Sequence, residues 1–153
     1  MARQSKQKGM KFPGKVVLAF LLAVLVDQST KFLFRNGLDV SFGVLHLHFV
    51  ANTGVSWGLF PGKNLLFLGL SIIILGMCWL AFSQFDRRSW LGESLFFAGG
   101  VGNILDRIFF GFVTDFIDLG FFPVFNVADA LLSVSIVLII LYEFSLQRKK
   151  KHP

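Results

Sequence analysis

The sequence predicts an all-α membrane protein: four transmembrane helices, with a small β-rich outer loop or sheet between the first and the second. Three observations carry that prediction. Hydrophobic residues fill 54% of the 153 positions and charged residues only 16%, whereas soluble domains average about a quarter charged. Mean hydropathy is +0.68. Apolar stretches recur at the length of about 20 residues that an α-helix needs to cross the hydrocarbon core. A chain of this size makes one domain at most, spanning 1–153.

The first span, 16–34, follows basic residues and so imitates a secretory signal. Its apolar run is followed by Asp27-Gln28-Ser29-Thr30-Lys31 rather than a small-residue cleavage site, so it is expected to persist as an uncleaved helix. The next connection, 36–64, is too long for a turn. Within it Leu45, Leu47 and Phe49 alternate with His46, His48 and Val50, which predicts a strand with those two sets on opposite faces. Phe42, Phe49, Trp57 and Phe60 suit a sheet lying at the membrane interface. The second span, 65–85, carries no charge at all. The turn Asp86-Arg87-Arg88-Ser89 leads to the third, 91–110, and the connection 111–123 leads to the fourth, 124–144. Basic tails are expected at 1–15 and 145–153.

Net charge is +6, and its location decides its meaning. Arg3, Lys6, Lys8, Lys11, Lys15, Arg87, Arg88, Arg148, Lys149, Lys150 and Lys151 are 11 of the 15 Lys and Arg, and in a four-span chain they fall on one side. That side is expected to be cytoplasmic. No aromatic-interleaved basic face accompanies them, which argues against a nucleic-acid partner. The single cysteine, Cys78, sits inside an apolar run, so no intramolecular disulfide forms.

With that orientation, polar residues of three helices reach one depth near the outer face: Asp27 and Lys31, then Asn103, Asp106 and Arg107, then Asn126 and Asp129. Ionisable groups inside a membrane are expensive, and a functional site is their default explanation. Each also has a plainer one. Asp27 and Lys31 have the i,i+4 spacing of a helical ion pair, with Lys31 snorkelling outward. Gly99, Gly100 and Gly102 suit close helix packing, and Asp106 with Arg107 suits a self-neutralising cluster. Asn126 suits an N-cap with Asp129 at N3, where a carboxylate favours the helix dipole.

The segment 113–129, Val-Thr-Asp-Phe-Ile-Asp through Asn-Val-Ala-Asp, holds Asp115, Asp118 and Asp129 inside a window, 108–147, with no Lys or Arg. Asp118 is expected to be a solvated loop acid. His46 and His48 share a strand face, but two ligands do not make a zinc site and no carboxylate is spaced in sequence to complete one. No metal and no other cofactor is therefore expected. Without a G-x-S-x-G or H-E-x-x-H element, and with no base placed for a Ser or Cys nucleophile, the chemistry falls to carboxylates.

Taken in order, Asp27-Gln28-Ser29-Thr30-Lys31, Asn52-Thr53-Gly54-Val55-Ser56-Trp57, the run from Gly99 to Arg107, Val113-Thr114-Asp115-Phe116 and Phe125-Asn126-Val127-Ala128-Asp129 resemble the bacterial lipoprotein signal peptidase (type II) family. Val55, Trp57 and Gly100 stand where that family often has Ala, Phe and Ala. The resemblance implies an aspartic endopeptidase of the bacterial cytoplasmic (inner) membrane, with its active site near the outer face. It implies Asp115 and Asp129 as the catalytic pair, with Asp27, Lys31, Asn52, Gly54, Asn103, Asp106, Arg107 and Asn126 as the supporting and substrate-binding shell. The implied substrate is a diacylglyceryl-modified prolipoprotein, cleaved before its lipidated cysteine. A monomer surrounded by phospholipid completes the expectation. Two carboxylates held close do not both ionise easily, so one keeps a proton while the other activates water. A nearby Lys or Arg would disturb that division, and the cation-free window fits its absence.

Two rival classes stand beside this one. A proton-coupled transporter would place polar groups near the midplane and often repeats internally; here they cluster at one face. A non-catalytic membrane scaffold would need no close acid pair.

Overall fold

The computed structural model describes residues 14–54, 62–83 and 89–151. Along them run α1 (Gly14–Arg35), β1 (Val40–Phe42), β2 (Leu45–Asn52), α2 (Asn64–Phe82), α3 (Trp90–Phe109), β3 (Val113–Asp118) and α4 (Val127–Lys151). The basic residues from Arg3 to Lys11, the interface aromatics Trp57 and Phe60, and Asp86, Arg87 and Arg88 lie outside the described residues.

Burial is inverted relative to a water-soluble domain. The largest fully buried side chains are Lys31, Asn126, Thr114, Asp27, Asp106 and Ser135, while Leu65, Met77, Leu80 and Leu25 are largely exposed. None of the residues of α2 is buried. An apolar exterior over a polar interior is stable only where lipid replaces water as the solvent.

Helices α1, α2 and α4 are long and apolar enough to cross a membrane. The expected third span is present as α3 and is of similar length, but it is not among them. It carries Glu93, Asn103, Asp106, Arg107 and a run of glycines in place of large apolar residues. That composition suits a helix surrounded by protein, and α3 packs against each of the other three. A Cβ on Gly99 would stand 2.5 Å from the Ala128 carbonyl oxygen of α4, and one on Gly102 would run into the Asp27 carboxylate of α1. Glycine is therefore what lets three backbones converge at one level.

The sheet differs from its expectation in membership. Its order is β1-β2-β3, antiparallel throughout, and its third strand comes from the connection between α3 and α4 rather than from the loop after α1. Asp115 is thus a strand residue. The register also shifts: His46 pairs with Asp118 and Leu47 with Ile117, but Val50 pairs with Asp115 and Asn52 with Val113. His48 and Phe49 together oppose Phe116, a β-bulge that inserts one extra residue into β2. The simple alternation predicted for this strand fails there, because Val50 moves to the face of Leu47 and Asp115. Stacking of Phe34 on Phe116, with ring centroids 4.2 Å apart, pins the end of α1 to β3.

Helix α4 begins at Val127, three residues later than expected, because Phe125 is held in extended form: its carbonyl accepts the Phe116 and Ile117 amides at 3.0 and 2.8 Å. It also continues to Lys151, so the basic tail is helical rather than a separate segment.

Candidate active site

The start of α4 organises the polar interior. Asn126 is its N-cap: its Oδ1 accepts the Asp129 amide at 3.0 Å, while the Asp129 Oδ2 accepts the Asn126 amide at 3.2 Å. This reciprocal capping box fixes the Asp129 rotamer and leaves Oδ1 to accept Asn103 Nδ2 at 2.8 Å. The cap explanation and a chemical role are therefore compatible, since one arrangement serves both. The next free amide of the helix, Ala128, donates to Asp27 Oδ1 of α1 at 2.9 Å.

Asn126 also reaches the second acid. Its Nδ2 donates to Asp115 Oδ1 at 2.6 Å, and Asn52 Nδ2 donates to Asp115 Oδ2 at 2.8 Å. Asn52 is oriented in turn by the Gly54 amide, which donates to its Oδ1 at 3.1 Å. The β2 bulge makes this contact possible. In an unbroken register Asn52 would face away from Asp115; the extra residue turns it to the same side. Asp115 is almost wholly buried, and burial pushes its carboxyl up to about 6 against the opposing hydrogen bond from Asn52, with the charge of Asp129 adding to the rise.

Beneath the two acids lies an ionic cluster. Lys31 Nζ is 2.9 Å from Asp27, 3.6 Å from Asp106 and 2.9 Å from Asn103 Oδ1. The lysine is fully buried, so the expectation that it snorkels outward is corrected: the bundle interior, not the membrane surface, satisfies its charge. Asp106 is paired with Arg35 at 3.2 Å and accepts the Thr114 amide at 2.7 Å. Its partners are thus Arg35 and Lys31 rather than the adjacent Arg107, whose side chain leaves the helix at a different angle. Arg107 bonds the Asn103 carbonyl at 3.5 Å and interacts electrostatically with Asp129, Asp115 and Asp106.

All ten residues singled out from the sequence therefore meet in one network. The cation-free window does not survive folding, because Lys31 and Arg107 both come within electrostatic reach of the acids. Asp118 closes β3, half-buried, instead of sitting free in a loop.

The comparisons with known proteins join this geometry. The family model for signal peptidase (SPase) II matches residues 19–145. The chain belongs to the signal peptidase II family. It is accordingly a membrane-embedded aspartic peptidase, a hydrolase. Among members of the family, a lipoprotein signal peptidase of Syntrophomonas wolfei is 38% identical over 88% of this chain and 96% of its own. One from Staphylococcus aureus (strain JH9) is 36% identical over 85% and 88%. A solved bacterial membrane enzyme superposes with a TM-score of 0.79 at 32% identity, covering 93% of this chain and 94% of that one.

Three participants in the signal peptidase network were not singled out from sequence. Arg35 donates to Thr114 Oγ1 at 2.7 Å besides pairing with Asp106, and its guanidinium lies 4.1 Å from the Phe110 ring centroid. Gln28 donates to Asp27 Oδ2 at 3.0 Å and to the Gly102 carbonyl at 3.1 Å. A signal for Arg35 existed: Asp27, Lys31 and Arg35 follow at i, i+4 and i+8 on one helix face. For Thr114 only the β3 pairing reveals the role.

Proposed function

We propose that Asp115 and Asp129 are the catalytic pair of a peptidase that removes the signal peptide from diacylglyceryl-modified prolipoproteins, cutting before the lipidated cysteine. The observation that carries this reading is the bridging of both carboxylates by one residue, Asn126, through its side chain and its backbone amide. Charge balance supports it as well. Three cations, Lys31, Arg35 and Arg107, face four carboxylates, Asp27, Asp106, Asp115 and Asp129. One proton held between Asp115 and Asp129 makes the cluster neutral.

In the reaction the ionised acid takes a proton from water, which attacks the scissile carbonyl carbon. The protonated acid donates a hydrogen bond to the carbonyl oxygen and stabilises the charge that develops there. Collapse of the tetrahedral intermediate expels the amine of the cysteine, which takes a proton from the pair. Asn52, Asn103 and Asn126 hold the carboxylates in position; Asp27, Lys31, Asp106 and Arg107 hold the helices and the cluster's charge; Gly54 holds Asn52.

The chain spans the bacterial cytoplasmic membrane four times, α3 included, with both termini cytoplasmic and the pair near the outer face. It works as a monomer in phospholipid, since one chain supplies every member of the network. The test is cleavage of a lipidated lipobox peptide by purified protein in detergent. Asp115→Asn and Asp129→Asn are each expected to lower the rate by about 10² to 10⁴ while the protein stays folded. Near-native cleavage by either variant would overturn the pair.

A further inference from the structure

We propose that His46, His48 and Asp118 form a binding site for a divalent transition-metal ion of the Zn²⁺ class, separate from the acid pair, which ties β2 to β3. The sequence supplied two imidazoles with no third ligand; the sheet supplies it. Asp118 is the register partner of His46, and one ligand atom from each of the three residues lies within 4.8 Å of the others. Two imidazoles and a carboxylate are a ligand set that zinc takes with water in the fourth position.

The hydrogen-bond partners are already arranged for it. His46 Nε2 lies 2.9 Å from Asp39 Oδ1, so the proton on Nε2 is donated to that carboxylate and the Nδ1 lone pair is left free. A carboxylate behind a metal-binding imidazole is the usual way to fix its tautomer and raise its basicity. His48 stacks on His46 with centroids 4.1 Å apart, and its Nδ1 is buried with no hydrogen-bond partner. Asp118 Oδ1 is held by the Gly120 amide at 2.7 Å, which leaves Oδ2 available. A zinc ion at about 2.0–2.1 Å from each ligand needs the donor atoms to close in by roughly 1 Å, within reach of side-chain rotation.

Chemistry selects the ion. Imidazole nitrogen favours Zn²⁺, Ni²⁺ or Cu²⁺ over the oxygen-seeking Ca²⁺ and Mg²⁺. Asp39 and Asp118 place two carboxylates beside the two rings, and the side chains of Asp39 and His46 are 64% and 44% exposed, so the ion enters from solvent. Bound there, it would lock the far end of β3, three residues from Asp115.

The experiment uses the full chain in detergent, stripped with chelator and titrated with Co²⁺ for its visible absorption and with Zn²⁺ for thermal unfolding. One equivalent of Co²⁺ with the bands of a nitrogen- and oxygen-ligated ion, and a raised unfolding temperature with Zn²⁺, are expected. The double variant His46→Ala, His48→Ala should lose both responses, and Asp39→Asn should weaken binding about 10- to 100-fold. Asp118→Asn, which preserves the strand pairing, should also weaken it and keeps the test open if the double variant does not fold. No saturable binding by the parent chain would overturn the site. So would binding unchanged in the His46, His48 variant, or binding lost in Asp115→Asn instead, which would move the ion to the acid pair.

Discussion

At the residue scale, the interior shows how buried charge is tolerated: among the described residues, Asp27, Lys31, Asp106 and Asp115 are each given partners. Asp106 illustrates it, with Lys31, Arg35 and the Thr114 amide around one carboxylate. Breaking a buried ion pair by removing one charge typically costs about 3–5 kcal/mol, because the partner is left uncompensated. Asp106→Asn is therefore expected to lower thermal stability together with cleavage. Asp129→Asn, by contrast, should lower cleavage far more than stability, since Asn at N3 still accepts from the Asn126 amide. Parallel unfolding and cleavage measurements on the two variants check this; equal stability losses would mean that Asp129 is only a cap. A third residue tunes the chemistry. Asn52 donates to Asp115 and so favours its ionised form. In Asn52→Ala the alkaline limb of the kcat/KM profile, where the shared proton is lost, is expected to move to higher pH.

At the element scale, the bulge in β2 and the glycines of α3 do comparable work, each bringing groups together that regular geometry would separate. Deleting Phe49 removes the extra residue and leaves Asn52 opposite Val113, on the face of Asp115. The deletion should therefore leave the alkaline limb where it stands in the parent chain, unlike Asn52→Ala. A limb shifted to higher pH would show that the pairing of Asn52 with Val113 does not aim it at Asp115. In α3, Gly99→Ala places a methyl group against the Ala128 backbone carbonyl at 2.5 Å, and a backbone atom cannot step aside as a side chain can. Overpacking of this kind costs about 1–3 kcal/mol. Gly100→Ala meets only the flexible Leu75 side chain and should be milder, which unfolding of the two variants in detergent will check.

At the scale of the whole molecule, the chain sets an apolar surface around a polar centre and places a sheet where α1 and α3 end and α2 and α4 begin. On the proposed four crossings, that sheet lies outside and both termini inside. An impermeant thiol reagent applied to intact cells should label Ser41→Cys and Phe121→Cys, both at exposed positions; protection of both would reverse the orientation. Stability against pH offers a second global test. Burial raises the Asp115 carboxyl to about 6 from about 3.9 in an unfolded chain. The folded state binds that proton more tightly, so this group stabilises the fold below the unfolded value and the contribution is lost as pH rises through about 4 to 6. Asp115→Asn should flatten the fall in unfolding temperature across that window.

What the sequence determined by itself was whatever depends on local pattern: the four helices, the strand around His46, and the polar residues of α1, α3 and α4 that meet in one network, which Asn52 and Gly54 joined only through the family resemblance. Hydrophobic runs and i,i+4 spacings are properties of neighbouring residues, and solvent preference alone converts them into elements. Only the tertiary structure decided where each of those charges finds its partner. Lys31 turned inward because Asp27, Asp106 and Asn103 are all within its reach. Arg35 displaced Arg107 as the partner of Asp106, and Asp118 left its loop to stand opposite His46. The extra residue in β2 could not be read from alternation, because a bulge is set by the partner strand, and β3 lies more than sixty residues further along the chain. Pairings across such distances follow from packing three helices around glycine, and no local signal encodes them.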